Sequence, residues 1–320
     1  MFNSKKLGSK KRVVFFIAAC LCTMANNAWS DALLDQQLRD VAAGGTEKQL
    51  GMLIKKGANV NAPGKYGKRP IMFAAESGNV NIVISLLSHG AEVNARTKKG
   101  ETALTLATEN GDDSITALLI EFDANVHDRT RTGMDSLMIA SKSGNVSIVK
   151  QLLQFNADVR SSDNQGNTAL MHAIRAGYTD VVEALFNNSR HIAPCIPNNI
   201  GITPLMAAIT KGDARSIELI IPKIKHIDFQ DNFGSAALHY AADNNNLKVA
   251  QYLIEHKAII DIEDSDKETP LFYAVRADNV EMVKLLLANK ADKAHKNGAG
   301  HTAHHMAMEE KHQAIADLLK

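Results

Sequence analysis

The chain has 320 residues, with 36 basic and 35 acidic side chains and a formal net charge of +1. Hydrophobic residues make up 45 % and charged residues 22 %, which is typical of a folded soluble protein and excludes a long disordered chain. The balanced charge gives no support to nucleic-acid binding, and three cysteines are too few for a disulfide scaffold.

Residues 1–30 have the pattern of an export signal peptide. A cationic leader precedes the short apolar run from Val13 to Ala25, and Ala28-Trp29-Ser30 places small residues where a signal peptidase reads them. As a helix this apolar run would span about 20 Å, which is less than the roughly 30 Å core of a bilayer. We therefore expect cleavage before Asp31.

Such a leader predicts a location outside the cytoplasm. We expect a periplasmic or secreted bacterial protein, with no stable membrane insertion after the leader is removed. The alternative is a lipoprotein anchored at Cys20, because Ile17-Ala18-Ala19-Cys20 resembles a lipobox, although the apolar run continues beyond that cysteine. The mature chain would keep only Cys195, so its fold must form without an internal disulfide.

Glycine recurs with a period of 33 residues, interrupted by one step of 35. The first series consists of Gly67, Gly100, Gly133, Gly166, Gly201, Gly234 and Gly300, with Lys267 at the position after Gly234. The second series consists of Gly45, Gly78, Gly111, Gly144, Gly177 and Gly212, continued by Asn245 and Asp278. Glycine, asparagine and aspartate tolerate a positive φ, so the second series predicts a left-handed turn between two helices.

Each period predicts two short helices followed by an extended hairpin. In the period that starts at Gly67, Pro70 opens a first helix that ends at Gly78. Residues 80–87 form a second helix with apolar side chains at helical spacing, and Gly90 stops it. One such pair cannot hide its apolar face alone, so the pairs must stack.

These periods resemble ankyrin repeats. The runs Thr203-Pro204-Leu205-Met206 and Thr269-Pro270-Leu271-Phe272 resemble the Thr-Pro-Leu-His signature of that family, and His239 keeps its histidine. The resemblance covers residues 33–320 and implies an all-α ankyrin-repeat solenoid of stacked helix-turn-helix units with short β-hairpins.

On this resemblance the chain divides into capping and internal repeats. We expect a degenerate N-terminal capping repeat at 31–62, seven repeats at 63–296 with an irregular join at 187–198, and a C-terminal capping repeat at 297–320.

Two departures from the family pattern are visible. Methionine replaces the signature histidine at Met72, Met138, Met171 and Met206, which removes a side chain that in the family bonds nearby backbone. The irregular join is longer than its counterparts, and Pro222 shortens the second helix that follows it.

The resemblance implies a non-enzymatic scaffold that binds a protein partner through hairpin tips and the concave face. We expect a monomer without a cofactor. Exposed aromatic and apolar side chains often anchor interfaces. The candidate partner-binding residues at the tips are Lys65, Tyr66, Lys68, Lys98, Lys99, Arg131, Met134, Ile200, Ile202, Phe233 and Asp266.

Charge divides these tips along the sequence. The early tips are basic, and the later ones are acidic through Asp228, Asp231, Asp261, Glu263, Asp264, Asp266 and Glu268. Such a division would orient a charged partner. The alternative is charge that serves solubility alone.

Histidines near the C-terminus offer a rival interpretation. His301, His304 and His305 could converge near the start of one helix and bind zinc, although no cysteine or aspartate set accompanies them. A solvated capping repeat is the prediction that we favour, and we interpret Cys195 and His191 as ordinary loop residues. The alternative functions are a metal-binding or enzymatic protein and a structural envelope protein.

Overall fold

The computed structural model describes residues 31–188, 192, 194–224 and 226–320. The predicted signal peptide and the lipidation alternative at Cys20 lie outside the described residues, as does part of the irregular join. The chain divides into two compact units, and each is described by itself: unit 1 ends at Arg131 and unit 2 covers Thr132–Lys320.

Unit 1 consists of helix pairs. Its helices are α1 (residues 31–44), α2 (Glu47–Lys55), α3 (Pro70–Glu76), α4 (Val80–Ser88), α5 (Ala103–Asn110) and α6 (Asp113–Glu121), with a 3₁₀ turn at Lys65–Gly67. Within the pairs α3–α4 and α5–α6 the helices pack on each other, and α3 packs on α5 while α4 packs on both α2 and α6. The first and second helices of neighbouring repeats therefore form two stacked rows.

Unit 2 continues the same arrangement. Its helices are α7 (Ser136–Ser143), α8 (Val146–Gln154), α9 (Ala169–Ala176), α10 (Thr179–Asn188), α11 (Pro204–Lys211), α12 (Ala214–Ile220), α13 (Ala237–Asp243), α14 (Leu247–Glu255), α15 (Pro270–Arg276), α16 (Val280–Ala288), α17 (Ala303–Glu309) and α18 (Gln313–Leu319). The first helices α7, α9, α11, α13, α15 and α17 pack in sequence. The expected all-α class with stacked helix pairs is thus confirmed.

The helices begin and end where the sequence predicts. Asp112 accepts a hydrogen bond from the Ile115 N–H at 2.9 Å and so caps α6, and Thr203 caps α11 in the same way. The turn that closes a first helix is left-handed, with φ of 68° at Gly212 and 49° at Asn245. The second glycine series therefore has the predicted conformation at these positions, although Gly45 does not adopt a positive φ.

One aliphatic side chain from each second helix fills the core of its unit. These residues are less than a tenth exposed and recur at the repeat period: Leu53, Leu86 and Leu119 in unit 1 and Leu152, Leu185, Ile220, Leu253, Leu286 and Leu319 in unit 2. Burying such a side chain contributes about 1.5–3 kcal/mol, so repeat stacking supplies most of the stability.

The expected hairpins are short. In unit 2 three loops close with a single antiparallel bridge each, at Ser162–Thr168, Gln230–Ala236 and Lys296–Thr302. The bridge brings the two arms of the loop together just before the first helix begins.

Methionine at the signature position keeps part of the histidine's function. The sulfur of Met206 accepts a hydrogen bond from the Thr203 N–H at 3.4 Å, and Met72 does the same for Arg69 in unit 1. The expectation that methionine removes this backbone contact was therefore wrong for these two repeats, because thioether sulfur is a weak acceptor.

The irregular join changes the packing around α12. This helix has seven residues and passes into a 3₁₀ turn at Ile221–Lys223 that contains Pro222. Because proline cannot continue the helical hydrogen bonds, α12 ends early. An apolar cavity of about 170 Å³ lies nearby, lined by residues that include Leu205, Ile224 and Phe229.

Candidate functional site

The two residues before each column glycine are called the tip. In several loops the tip is shaped by the side chain three positions before that glycine. In unit 2 the Asp231 carboxylate accepts hydrogen bonds from the N–H groups of Phe233 and Ser235, both at 2.9 Å. In unit 1 the Thr97 hydroxyl accepts from Lys99 at 3.2 Å and from Glu101 at 3.1 Å. A short oxygen-bearing side chain at this position therefore folds the tip locally.

Successive tips are joined by backbone hydrogen bonds, called the tip ladder. In unit 2 the Asn232 N–H donates to the Ile200 carbonyl at 3.0 Å, and the Ser265 N–H donates to the Phe233 carbonyl at 2.9 Å. In unit 1 the Lys98 N–H donates to the Tyr66 carbonyl at 2.8 Å. The ladder fixes the spacing of neighbouring tip side chains within each unit.

Unit 1 presents an aromatic ring among cations. Tyr66 is 59 % exposed and adopts a left-handed conformation with φ of 61°, which is rare for a bulky residue. The Lys65 ammonium lies 5.1 Å from the centre of its ring. Lys98, Lys99 and Arg131 are all exposed.

Lys68 was predicted as a tip cation, but the structure gives it a different environment. It is half-buried, forms an ion pair with Glu76 and lies 4.8 Å from the centre of the Phe73 ring. Its charge is therefore largely satisfied within unit 1.

Unit 2 presents two apolar tips side by side. Ile200 is 45 % exposed and Phe233 is 65 % exposed, and the tip ladder joins their loops directly. Asp266, on the next tip, is also exposed.

Met134 and Ile202 were predicted to face outward but are half-buried. Both follow a column glycine, where the chain already returns toward the first helix. The Ile202 N–H donates to the Asn198 side chain at 3.0 Å, and its carbonyl accepts from the Asn198 N–H at 3.0 Å. Only the residues before the glycine therefore form the exposed tip.

Much of the predicted acidic surface serves the fold instead. Asp231 is only 6 % exposed and its carboxylate accepts the Tyr240 hydroxyl at 2.7 Å. Asp264 accepts the Tyr273 hydroxyl at 2.8 Å, and Glu268 pairs with a neighbouring arginine.

Two further acidic residues of the predicted acidic surface are also partly buried, and each accepts a hydrogen bond from a backbone N–H. Asp228 accepts the Ile259 N–H at 3.0 Å, and Asp261 accepts the Asp292 N–H at 3.0 Å. The acidic surface is thus mostly reduced to Glu263 and Asp266, which are exposed.

The first helices carry a row of polar side chains beside the tips. Burial raises the pKa of Tyr240 and also that of Tyr273, the latter to about 12, and hydrogen bonds to Asp231 and Asp264 act in the same direction. Both phenols therefore stay protonated and donate to these carboxylates. His172 makes the equivalent contact with Asp163 at 2.9 Å, and burial lowers the pKa of this histidine.

Two of the C-terminal histidines, His301 and His305, form a cluster with Glu309. The nearest nitrogen of His305 lies 3.5 Å from the Glu309 carboxylate and that of His301 lies 3.9 Å from it, and the two imidazole rings are 4.0 Å apart. His304 is not part of this cluster. Sequence reasoning missed Glu309, although its spacing four residues after His305 places both on one face of α17.

Cys195 lies in the irregular join, close to the 3₁₀ turn that follows α12. It is exposed, and its sulfur lies 3.9 Å from the Lys223 carbonyl. His191, its possible partner, lies outside the described residues. The Cys195–His191 pairing therefore stays untested.

Comparisons with known proteins agree with this arrangement. A model of ankyrin repeats in three copies matches residues 38–130 and 104–195, and a model of ankyrin repeats in many copies matches residues 238–287. Together the matched ranges cover more than half of the chain. No curated protein sequence matches it. Among the described residues no helix has both the length and the apolar character needed to cross a membrane.

Proposed function

The chain belongs to the ankyrin repeat family, and from this premise we propose that it is an exported, non-enzymatic scaffold that binds a protein partner. Ankyrin repeats typically serve as protein-protein interaction scaffolds. The proposed contact surface is the loop tips together with the adjacent face of the first helices.

The observation that carries this proposal is the pair of adjacent apolar tips in unit 2. Ile200 and Phe233 are exposed on loops whose backbones are bonded to each other. A partner that covers them gains the free energy of apolar burial, and little backbone entropy is lost because the tips are already fixed. Apolar side chains held in this way have the properties of interface anchors.

The basic side chains on the tips of unit 1 favour a partner whose contact surface is partly acidic. Tyr66 supplies an aromatic anchor, while Lys98, Lys99 and Arg131 place positive charge on neighbouring tips. Exposed charges of one sign raise the association rate of an oppositely charged partner. We therefore propose a partner that carries an acidic patch.

Affinity capture with the mature chain, residues 31–320, tests the apolar tips. Captured proteins are identified from periplasmic extract and from culture medium, and each dissociation constant is then measured with purified partner. Replacing both Ile200 and Phe233 by alanine should weaken binding by about 2 kcal/mol or more, roughly thirtyfold.

The matched control for this experiment is Phe155→Ala. Phe155 ends α8 in the same unit and is 49 % exposed, but it does not lie on a tip. Equal loss in both variants, or undiminished binding by the tip variant, would contradict the proposal.

Reversing charge on unit 1 tests the electrostatic part separately. The double change Lys98→Glu and Lys99→Glu should slow association and reduce its dependence on salt, with a smaller effect on dissociation. Stopped-flow or surface-binding kinetics at two salt concentrations measure both rates. An unchanged association rate would remove the acidic patch from the proposal.

Export is proposed on the pattern of residues 1–30 alone. The intact mass of the protein recovered from the periplasm or medium should correspond to a chain that starts at Asp31. A lipid-modified Cys20 would favour the anchored alternative, and an uncleaved cytoplasmic chain would contradict export.

A further inference from the structure

A second chemical feature lies away from the apolar tips, in the last described repeat. Two imidazoles and one carboxylate come together there, with one ligand atom from each of His301, His305 and Glu309 lying within 4.8 Å of the other two. No other set of three histidine, cysteine or acidic side chains meets this geometry among the residues that the structure describes. The cluster is therefore specific to this repeat.

Comparison with the preceding repeat indicates that this cluster is more than an ordinary ion pair. Residues one repeat apart occupy the same places, so Glu268 and Arg276 correspond to His301 and Glu309 and form an ion pair. In the last repeat these two positions hold His301 and Glu309, an imidazole and a carboxylate. His305 adds a second imidazole beside them. Two imidazoles flanking one carboxylate are more than charge pairing requires, whereas they are a common set of metal ligands.

The backbone holds these ligands in place while leaving their side chains accessible. The His301 N–H donates to the Asn297 side chain at 3.0 Å, and the His305 N–H donates to the Thr302 hydroxyl at 3.3 Å. His305 and Glu309 are separated by one turn of α17. All three side chains are between 43 % and 59 % exposed, so an ion can reach them without displacing the core.

The distances fit a first-row divalent ion after small side-chain rotations. Zinc lies about 2.0–2.2 Å from nitrogen and carboxylate oxygen ligands, so ligand atoms in a tetrahedral site are about 3.4 Å apart. The observed separations from Glu309 are 3.5 Å and 3.9 Å. The imidazole nitrogens of His301 and His305 lie within 4.8 Å of each other, so closing the site requires side-chain rotations that shorten these separations.

We propose that His301, His305 and Glu309 form a binding site for Zn²⁺ or a similar divalent transition-metal ion. The three ligands leave at least one coordination position open to water or to a group from outside the chain. Imidazole nitrogen and carboxylate oxygen are ordinary ligands of these ions. The site does not depend on the proposed partner binding, and it is tested on the isolated protein.

Zinc titration of the metal-free mature chain, followed by calorimetry, is the test. The expected result is one zinc ion per chain. His305→Ala and Glu309→Gln should each weaken zinc affinity by about tenfold or more, since even outer-shell changes cost that much. Circular dichroism of each variant checks that the exposed substitutions leave the fold intact.

Two control variants make the result specific. His256→Ala removes an exposed histidine that directly follows α14, and Glu310→Gln removes the carboxylate next to Glu309 in sequence. Both should bind zinc as the unaltered chain does. Absence of stoichiometric binding, or equal affinity in the chain that lacks both His301 and His305, would overturn the proposal.

Discussion

The repeat of α13 and α14 and the repeat of α17 and α18 place a histidine at the same position with opposite results. His239 is fully buried: it accepts the Ala236 N–H at 3.0 Å, and its other ring nitrogen lies 3.1 Å from the Glu268 carbonyl of the next repeat. His305 is half exposed, and no further described repeat packs against it. The neighbouring repeat, rather than the residue type, therefore decides whether this histidine is a core group or an available ligand.

The column glycines show the same contrast. Gly234 and Gly300 both have φ of 80°. A Cβ atom on Gly234 would lie 2.7 Å from the Ser265 nitrogen of the next tip, whereas one on Gly300 would meet nothing within 4 Å. Glycine is thus required at position 234 both by its positive φ and by the close approach of the next loop. At position 300 it is required by its positive φ alone.

The largest expected difference concerns the two histidines. His239→Ala leaves a cavity and removes the acceptor of the buried Ala236 N–H, so the free energy of unfolding should fall by about 3–4 kcal/mol. His305→Ala should change it by less than about 0.5 kcal/mol, as exposed substitutions usually do. Urea denaturation followed by circular dichroism measures both. Similar losses in the two variants would contradict the comparison.

A smaller difference is expected for the two glycines. Gly300→Ala adds only the strain of a positive φ, about 1 kcal/mol, while Gly234→Ala adds an overlap with the next loop and should cost about 2–3 kcal/mol in total. The same denaturation experiment measures this. If alanine costs equally at both positions, the contact between successive tips does not contribute to stability.

The smallest effect is the dependence of stability on pH. Burial lowers the pKa of His239 from its ordinary value of 6.5, so the folded state keeps the ring neutral. The unfolded chain takes up a proton as the pH falls through about 6.5. Stability is therefore complete above that pH and decreases below it, by at most about 1.4 kcal/mol per pH unit for this group, until the lowered folded-state pKa is passed.

His239→Gln tests this origin of the pH dependence. The variant should show a shallower loss of stability between pH 7 and pH 5.5, with a remaining part from His172, whose pKa burial also lowers. Gly300→Ala is the control, because it destabilises the chain mildly without removing an ionisable group. An unaltered slope in His239→Gln would mean that other groups cause the pH dependence.

Features that repeat along the chain could be predicted from the sequence. The period of 33 residues predicted the helix pairs, and asparagine at position 245 was expected to replace glycine in a left-handed turn, as it does. Conformational propensity and residue spacing decide such local structure, and the same pattern in successive repeats strengthens the prediction for each of them. The N-terminal repeat departs from the series at Gly45, where a different loop joins α1 to α2.

Features that depend on how a loop packs against the first helix of its own repeat were not predicted. Asp231 looked like a solvent-exposed tip charge, but Tyr240 and two backbone N–H groups surround its carboxylate. Glu309 looked like an ordinary surface acid until the structure placed it between two imidazoles. The sequence contains no signal for the Asp231 contacts, and for Glu309 it contains only the spacing of four residues from His305.

The tip ladder uses only main-chain atoms. The stability of the joined loops is therefore separated from the choice of side chains that contact a partner, two demands that usually conflict in an evolving protein. The Phe233 carbonyl accepts its hydrogen bond whatever side chain stands at that position, so a substitution there leaves the joined loops intact. Selection can therefore exchange one tip side chain for another, repeat by repeat, with little loss of stability. The chain can change what it recognises while keeping the framework on which recognition depends.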